Sequence, residues 1–193
     1  TQADGTYPTN LLIGRAITPC SFPNISDWGH FQSAPITSIE DFHAALDAAT
    51  VRNAILIRGE VAVDQPIIKR RYASEPRHIR DVDREWLALD FEKAPPVPES
   101  INFFDLEAVG RHVVTAYLPP EYHTADFIVE ATASHGLKGR EARLRLFFLL
   151  ARPVPNHELK AFIAGCNRAA GAVVFDASLY DAGHIHYIVP PTF

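Results

Sequence analysis

The chain has 193 residues, enough for one domain with a substantial core. A hydrophobic share of 47% against 21% charged residues is ordinary for a soluble globular protein, and nothing beyond the first dozen residues reads as disordered or low-complexity. A net charge of −5 argues against a protein that coats nucleic acid nonspecifically, while leaving room for a local basic groove.

Residues 1–36 are rich in Pro, Thr and Gly and lack sustained periodicity, which reads as an irregular N-terminal arm. A capping box with Thr37 as N-cap and Glu40 reaching back then opens a helix, with Ile39, Phe42, Leu46 and Ala49 along one side. A short buried strand over 54–57 ends at Gly59, with 61–63 as its pairing candidate, and 64–84 reads as a charged loop. From Trp86 the pattern becomes regular. Residues 86–92 form a strand, 105–118 a helix stopped by Pro119-Pro120, and 126–133 and 143–150 two further strands. Asn156 caps a helix to about Ala170, ended by Gly171; 172–176 and 185–189 are the last strands. Strand, helix, strand, strand, helix, strand is the split βαβ plan of ferredoxin-like and RNA-recognition-motif (RRM) folds. The expected class is therefore α+β: an RRM-like antiparallel sheet with helices on one face, plus an N-terminal α/β extension.

Period-2 alternation sorts the two faces. Leu87, Leu89 and Phe91 point one way, with Leu144, Leu146 and Phe148 beside them under the helices. Asp90 and Glu92 point to the open face, together with Arg143 and Arg145 from the adjacent antiparallel strand. Two carboxylates at i and i+2 on one strand face can share a divalent cation. Asp176 ends the strand expected on the other side of Asp90 and supplies a third. A DxE pair alone is weak, since most such pairs on exposed strands are only solvated polarity. Cations so held would polarise phosphates and activate a hydroxyl.

The set Leu89-Asp90-Phe91-Glu92, then Thr132-Ala133-Ser134-His135-Gly136, then Arg143-Leu144-Arg145-Leu146-Phe147-Phe148, then Phe175-Asp176 resembles the motifs of archaeo-eukaryotic primase-polymerases. Those motifs are a DxD or DxE, an SxH, and a late carboxylate after hydrophobic residues. The flavour is similar to plasmid- and phage-borne members, often fused to a helicase, and Leu56-Ile57-Arg58-Gly59 and the closing 180–193 stretch share it. The resemblance covers residues 50–193 or so and implies a primase-polymerase catalytic domain over 37–193, with its core at 86–189. It implies Asp90, Glu92 and Asp176 as ligands of Mg²⁺ or Mn²⁺, and His135 as a contact to the phosphates of the incoming nucleotide. Ala133 stands where the motif wants its serine, and Ser134 directly precedes His135. Arg143 and Arg145 suit triphosphate or template phosphate, because guanidinium forks bind phosphate oxygens bidentately. Their bland reading is an ion pair with Glu130 or Glu141. Lys138 and Arg140 follow His135 closely enough to reach the same phosphates. The implied activity is template-directed nucleotidyl transfer, synthesising or extending primers on single-stranded DNA from NTP or dNTP in replication of a plasmid, phage or mobile element. A replicative helicase domain is the partner that resemblance suggests.

Two other readings compete. His184-Ile185-His186 resembles the metal motif of rolling-circle initiators and relaxases, which attack DNA with a tyrosine; Tyr180 and Tyr187 are near in sequence, and Tyr7 lies in the arm. A non-catalytic nucleic-acid-binding module would stack bases on exposed aromatics, but Asp90 and Glu92 on the same face repel phosphate unless a cation intervenes. Cys20 and Cys166, far apart and without CxxC spacing, exclude a four-cysteine zinc site and fit a reducing cytoplasm. No apolar run approaches the ~20 residues of a membrane helix, because Arg145 interrupts 144–150. A start at Thr1 and the lack of any methionine point to a segment of a longer polypeptide.

Overall fold

The computed structural model describes residues 35–51, 55–64, 77–137 and 139–187, with strand backbone also at 10–13, 16–19, 28–29 and 68–69. It is a mixed α+β structure in which, among the described residues, every strand pair is antiparallel. In chain order the elements are β1 (Asn10–Ile13), β2 (Ala16–Pro19), β3 (Trp28–Gly29), α1 (Ile39–Val51), β4 (Ile55–Leu56), β5 (Glu60–Val61) and β6 (Ile68–Lys69). There follow β7 (Ile79–Arg80), β8 (Arg84–Phe91), α2 (Leu106–Tyr117), β9 (Ile128–Ala131), β10 (Leu144–Val154), α3 (Asn156–Ala170) and β11 (His186–Tyr187). Among the described residues no helix is long and apolar enough to cross a membrane.

The central sheet has the order β8, β10, β9. Register pairs Leu144 with Phe91 and with Ala131, so β10 lies between its neighbours. The stretch expected as a strand at 172–176 is reduced to one bridge, Phe175 opposite Phe91, which places it on the outer edge of β8. Asn167 of α3 explains why so short a pairing holds. Its side-chain oxygen accepts from the N–H groups of Val174 and Phe175, and its amide donates to the Phe175 carbonyl.

One face of the sheet behaves as the alternation requires. Leu87, Leu89, Phe91, Leu144, Leu146 and Phe148 share a buried cluster with Val109, Val113 and Val114 of α2 and with Leu159, Ile163 and Cys166 of α3. Burying a side chain of this size contributes about 1.5–3 kcal/mol. Close approach of α2 to β9 depends on Gly110, where a Cβ would stand 3.0 Å from the Phe127 ring and 3.2 Å from Val129. Asp105 caps α2, its carboxylate accepting from the Ala108 N–H, and Gly171 ends α3 at φ 67°.

The other face is not free, which corrects the expectation of helices on one side only. Phe42 and Leu46 of α1 pack on Ala88, Phe147 and Ile128, with Trp86 and Leu149 beside them. The physical reason is in the residues: half of this face is aromatic or aliphatic, and leaving it in water would forfeit the burial that α1 supplies. Only the end carrying Asp90 and Glu92 stays polar.

Several local readings also change. The capping pair of α1 sits one residue later than expected: Ser38 accepts from the Asp41 N–H, and the Asp41 carboxylate accepts from Thr37. β5 pairs with β7 inside the supposed 64–84 loop, while β4 pairs with β11. The arm holds a hairpin of β1 and β2, and β3 pairs with β6. Asn156 is the first residue of α3 and not its cap. Its side chain accepts from Arg58 Nε and donates to Asp81. Arg58, fully buried, also donates to the carbonyls of Trp86, Arg84 and Val154. One guanidinium thereby ties the segment after β4 to β8, β10 and α3. Burial lowers its pKa to about 10.

Candidate active site

Four charged side chains form a row across the sheet. Arg145 lies opposite Asp90 on one side and opposite Glu130 on the other. The Asp176 N–H donates to the Asp90 carbonyl at 3.2 Å, so Asp176 lies across from Asp90. Directly opposed residues place their Cβ atoms about 4.5–5.5 Å apart on one face. Phe91 and Phe175 turn to the other face, with ring centroids 5.6 Å apart. The row therefore reads Asp176, Asp90, Arg145, Glu130.

The arginines project to the carboxylate face, as the alternation requires, and they are bound to the carboxylates. Arg145 grips Asp90 through both prongs of its fork, Nε to Oδ1 at 2.9 Å and Nη2 to Oδ2 at 2.7 Å. Arg143 reaches Glu92 at 2.9 Å and Glu141 at 3.3 Å. The ion-pair reading thus holds for Glu141 and extends to both members of the DxE pair. Asp176 has local partners, its oxygens accepting from the N–H and hydroxyl of Ser178 at 2.8 Å each. β8 ends at Phe91; just past Glu92 stands Lys93, whose φ of 61° is left-handed and whose ammonium lies 3.4 Å from Glu92. Among the described residues, no three carboxylate, imidazole or thiol groups converge as a ready cation site. The donors suit a hard divalent cation in kind, being oxygen ligands on adjoining strand positions.

His135 sits in the turn that joins β9 to β10. It is buried and stacked on Phe103, with ring centroids 4.5 Å apart and planes 8° from parallel. Its Nδ1 accepts from the Arg143 backbone N–H at 3.2 Å. A neutral imidazole that accepts at Nδ1 carries its proton on Nε2. That Nε2 is buried without a hydrogen-bond partner, as is Arg143 Nε. Burial lowers the His135 pKa; the Phe103 backbone offsets this in part without reaching hydrogen-bond geometry. Two adjoining residues thus each present one unsatisfied buried N–H donor. Beside them Phe104 stands almost wholly in solvent, 90% exposed.

The remaining candidates divide. Ser134 is half-buried, with its hydroxyl 3.4 Å from that of Thr132. Lys138 lies outside the described residues, as does Tyr7. Arg140 donates to the carbonyls of Val97, Pro98 and Ile101, anchoring the loop before α2, and its guanidinium lies 5.5 Å from the centre of the Phe103 ring that stacks on His135. Tyr180 is buried and donates to the Ala88 carbonyl at 2.5 Å, and burial raises its pKa far above the ordinary tyrosine range. Such a phenol has no access to DNA. His186 is fully buried, its ring 5.8 Å from Trp86 and 5.9 Å from His184. Burial first, then Arg145, hold its pKa well below the ordinary value, so it is neutral.

Glu130 is the site residue that sequence reasoning treated only as an ion-pair partner. Burial raises its pKa to about 6, against the pull of Arg145. Its place in the alternation of 126–133, on the same face as Asp90, was the signal available. No protein-family model matches the chain, and neither a curated protein nor a solved structure matches it significantly.

Proposed function

We propose that this chain is a metal-dependent nucleotidyltransferase, the catalytic domain of a primase-polymerase of the archaeo-eukaryotic type. The observation that carries the reading is Asp90 of β8 lying opposite Asp176 across the single bridge at the sheet edge, with Glu92 two residues along the same face. That is the placement the resemblance requires of residues 86 positions apart in sequence, and spacing alone does not dictate it. The strand order, with Phe175 outside β8 and β10 between β8 and β9, is also the order of an RRM-like sheet and supports that finer fold assignment.

Asp90, Glu92 and Asp176 would hold Mg²⁺ or Mn²⁺. When bound, the cation neutralises phosphate charge and assists attack of a 3′-hydroxyl on the α-phosphorus of an NTP or dNTP, with pyrophosphate leaving. His135 supplies a fixed donor: its tautomer is set by Arg143, its ring by Phe103, and its Nε2–H needs an acceptor such as a phosphate oxygen. Arg143 Nε–H points to the same need. Phe104 offers an exposed ring on which a single-stranded template base can stack.

The test is incorporation of labelled nucleotides on unprimed and primed single-stranded DNA with Mg²⁺ or Mn²⁺. Product should form with the wild-type chain and vanish in Asp90→Ala whose circular dichroism is native. A folded wild-type chain that incorporates nothing on either template, or full activity in Asp90→Ala, refutes the reading.

A further inference from the structure

We propose that Arg145 and Arg143 form a latch, holding Asp90 and Glu92 away from cations until a triphosphate draws the two guanidinium groups off. This rests on the nucleotidyltransferase reading and adds an order of events to it: nucleotide binding opens the cation site.

The latch is built from buried parts. The Arg145 side chain is 7% exposed and that of Asp90 23%, and both oxygens of Asp90 are taken by the fork. Bidentate guanidinium–carboxylate pairs are among the strongest polar contacts a protein makes. A cation approaching Asp90 would have to share those oxygens with a fixed positive charge at 2.7 Å. Glu92 is held more loosely, one oxygen by Arg143, whose side chain is 13% exposed, and the other 3.4 Å from the Lys93 ammonium. Closed in this way, the site has low affinity for a free divalent ion.

A triphosphate changes the balance because it presents several anionic oxygens in the geometry a guanidinium fork matches. Arg143 is already short of an acceptor at Nε, and His135 beside it at Nε2. An anion drawn to the Arg143 guanidinium competes with Glu92 for it. Arg145, on leaving Asp90, remains next to Glu130 across the strand pair, so its charge is not stranded. By linkage, whatever factor nucleotide adds to cation affinity, cation adds to nucleotide affinity.

The experiment uses the full chain and measures Mn²⁺ binding without nucleotide, by the electron paramagnetic resonance signal of the free ion. Arg145→Gln should bind Mn²⁺ at least about tenfold more tightly than wild type, about 1.4 kcal/mol. Adding Asp90→Asn to that variant should abolish the gain. Arg143→Gln, on the more exposed pair, should show the same change in smaller measure and serves if Arg145→Gln does not fold. In EDTA, both variants should bind a fluorescent nucleoside triphosphate more weakly than wild type. Unchanged or weaker Mn²⁺ binding in the folded variants overturns the latch. If wild type still incorporates nucleotides, the enzymatic reading survives that result; if wild type incorporates nothing while Arg145→Gln gains Mn²⁺, the latch survives and that reading fails.

Discussion

Replacing Glu130 by Gln removes an ionisation that the fold resists. The carboxyl titrates at about 6, where an ordinary glutamate titrates at 4.5, and burial is the main cause. A tenfold change in proton affinity is worth about 1.36 kcal/mol, so the ionised form costs the native state about 2 kcal/mol. Partial exposure makes that an upper figure. The sign follows from proton counting. Between the two pKa values the native state holds more protons than the unfolded chain, so wild-type stability falls as pH rises through that window. Below about pH 4 both states are protonated, and Glu130→Gln should be near neutral. At about pH 8 the variant should be more stable by about 1–2 kcal/mol. Urea denaturation of both proteins at these two pH values measures the difference directly. A stability gap that is the same at both pH values, or wild type favoured at the higher one, refutes the assignment of a buried, unwilling carboxylate to Glu130.

Arg58→Met should destabilise by roughly 3–5 kcal/mol, because it strands Asn156 and three backbone carbonyls in the interior; a loss under about 1 kcal/mol in urea melts would show that water replaces the guanidinium. Gly59→Ala should lose about 1–3 kcal/mol, since its Cβ would run into the Ile79 side chain and stand 2.5 Å from the Ala182 oxygen, and thermal denaturation reads this without any ligand. His135→Ala should weaken nucleotide binding by about 1–3 kcal/mol while leaving Mn²⁺ binding to Arg145→Gln intact; unchanged nucleotide affinity by titration removes His135 from the site.

What the sequence made legible was periodic and local. Alternation through 86–92 and 143–150 placed Asp90, Glu92, Arg143 and Arg145 on one face, and the hydrogen bonds between them bear that out. What it hid depends on partners distant in the chain. Asn156 looks like a cap until Arg58, 98 residues away, occupies its oxygen. Tyr180 looks available until its hydroxyl is found against Ala88. Trp86, Phe147 and Leu149 alternate as cleanly as the residues they oppose, yet an alternating pattern with apolar residues on both sides cannot say that α1 is what covers the second face. Arg140 is another such case: its nearness to His135 was legible in sequence, whereas the match of its planar donors to three carbonyls of a loop some forty residues earlier was not.

The single amide of Asn167 has a consequence for how the carboxylate row is tuned. Asp176 is positioned by one bridge and by a side chain in the last turn of α3 rather than by a ladder of strand bonds. Helix ends fray, and their final hydrogen bonds open at the low end of a protein's free-energy scale. Asp176 is thereby tied to the last turn of α3, whereas Asp90 is embedded in the ladder that joins β8 to β10. Amide exchange at Val174 and Phe175 should follow the opening of that terminal turn, not the global unfolding that releases β8. The two acids that face each other across this edge thus answer to different restraints: Asp90 moves only with β8, whereas Asp176 moves with the turn that Asn167 closes.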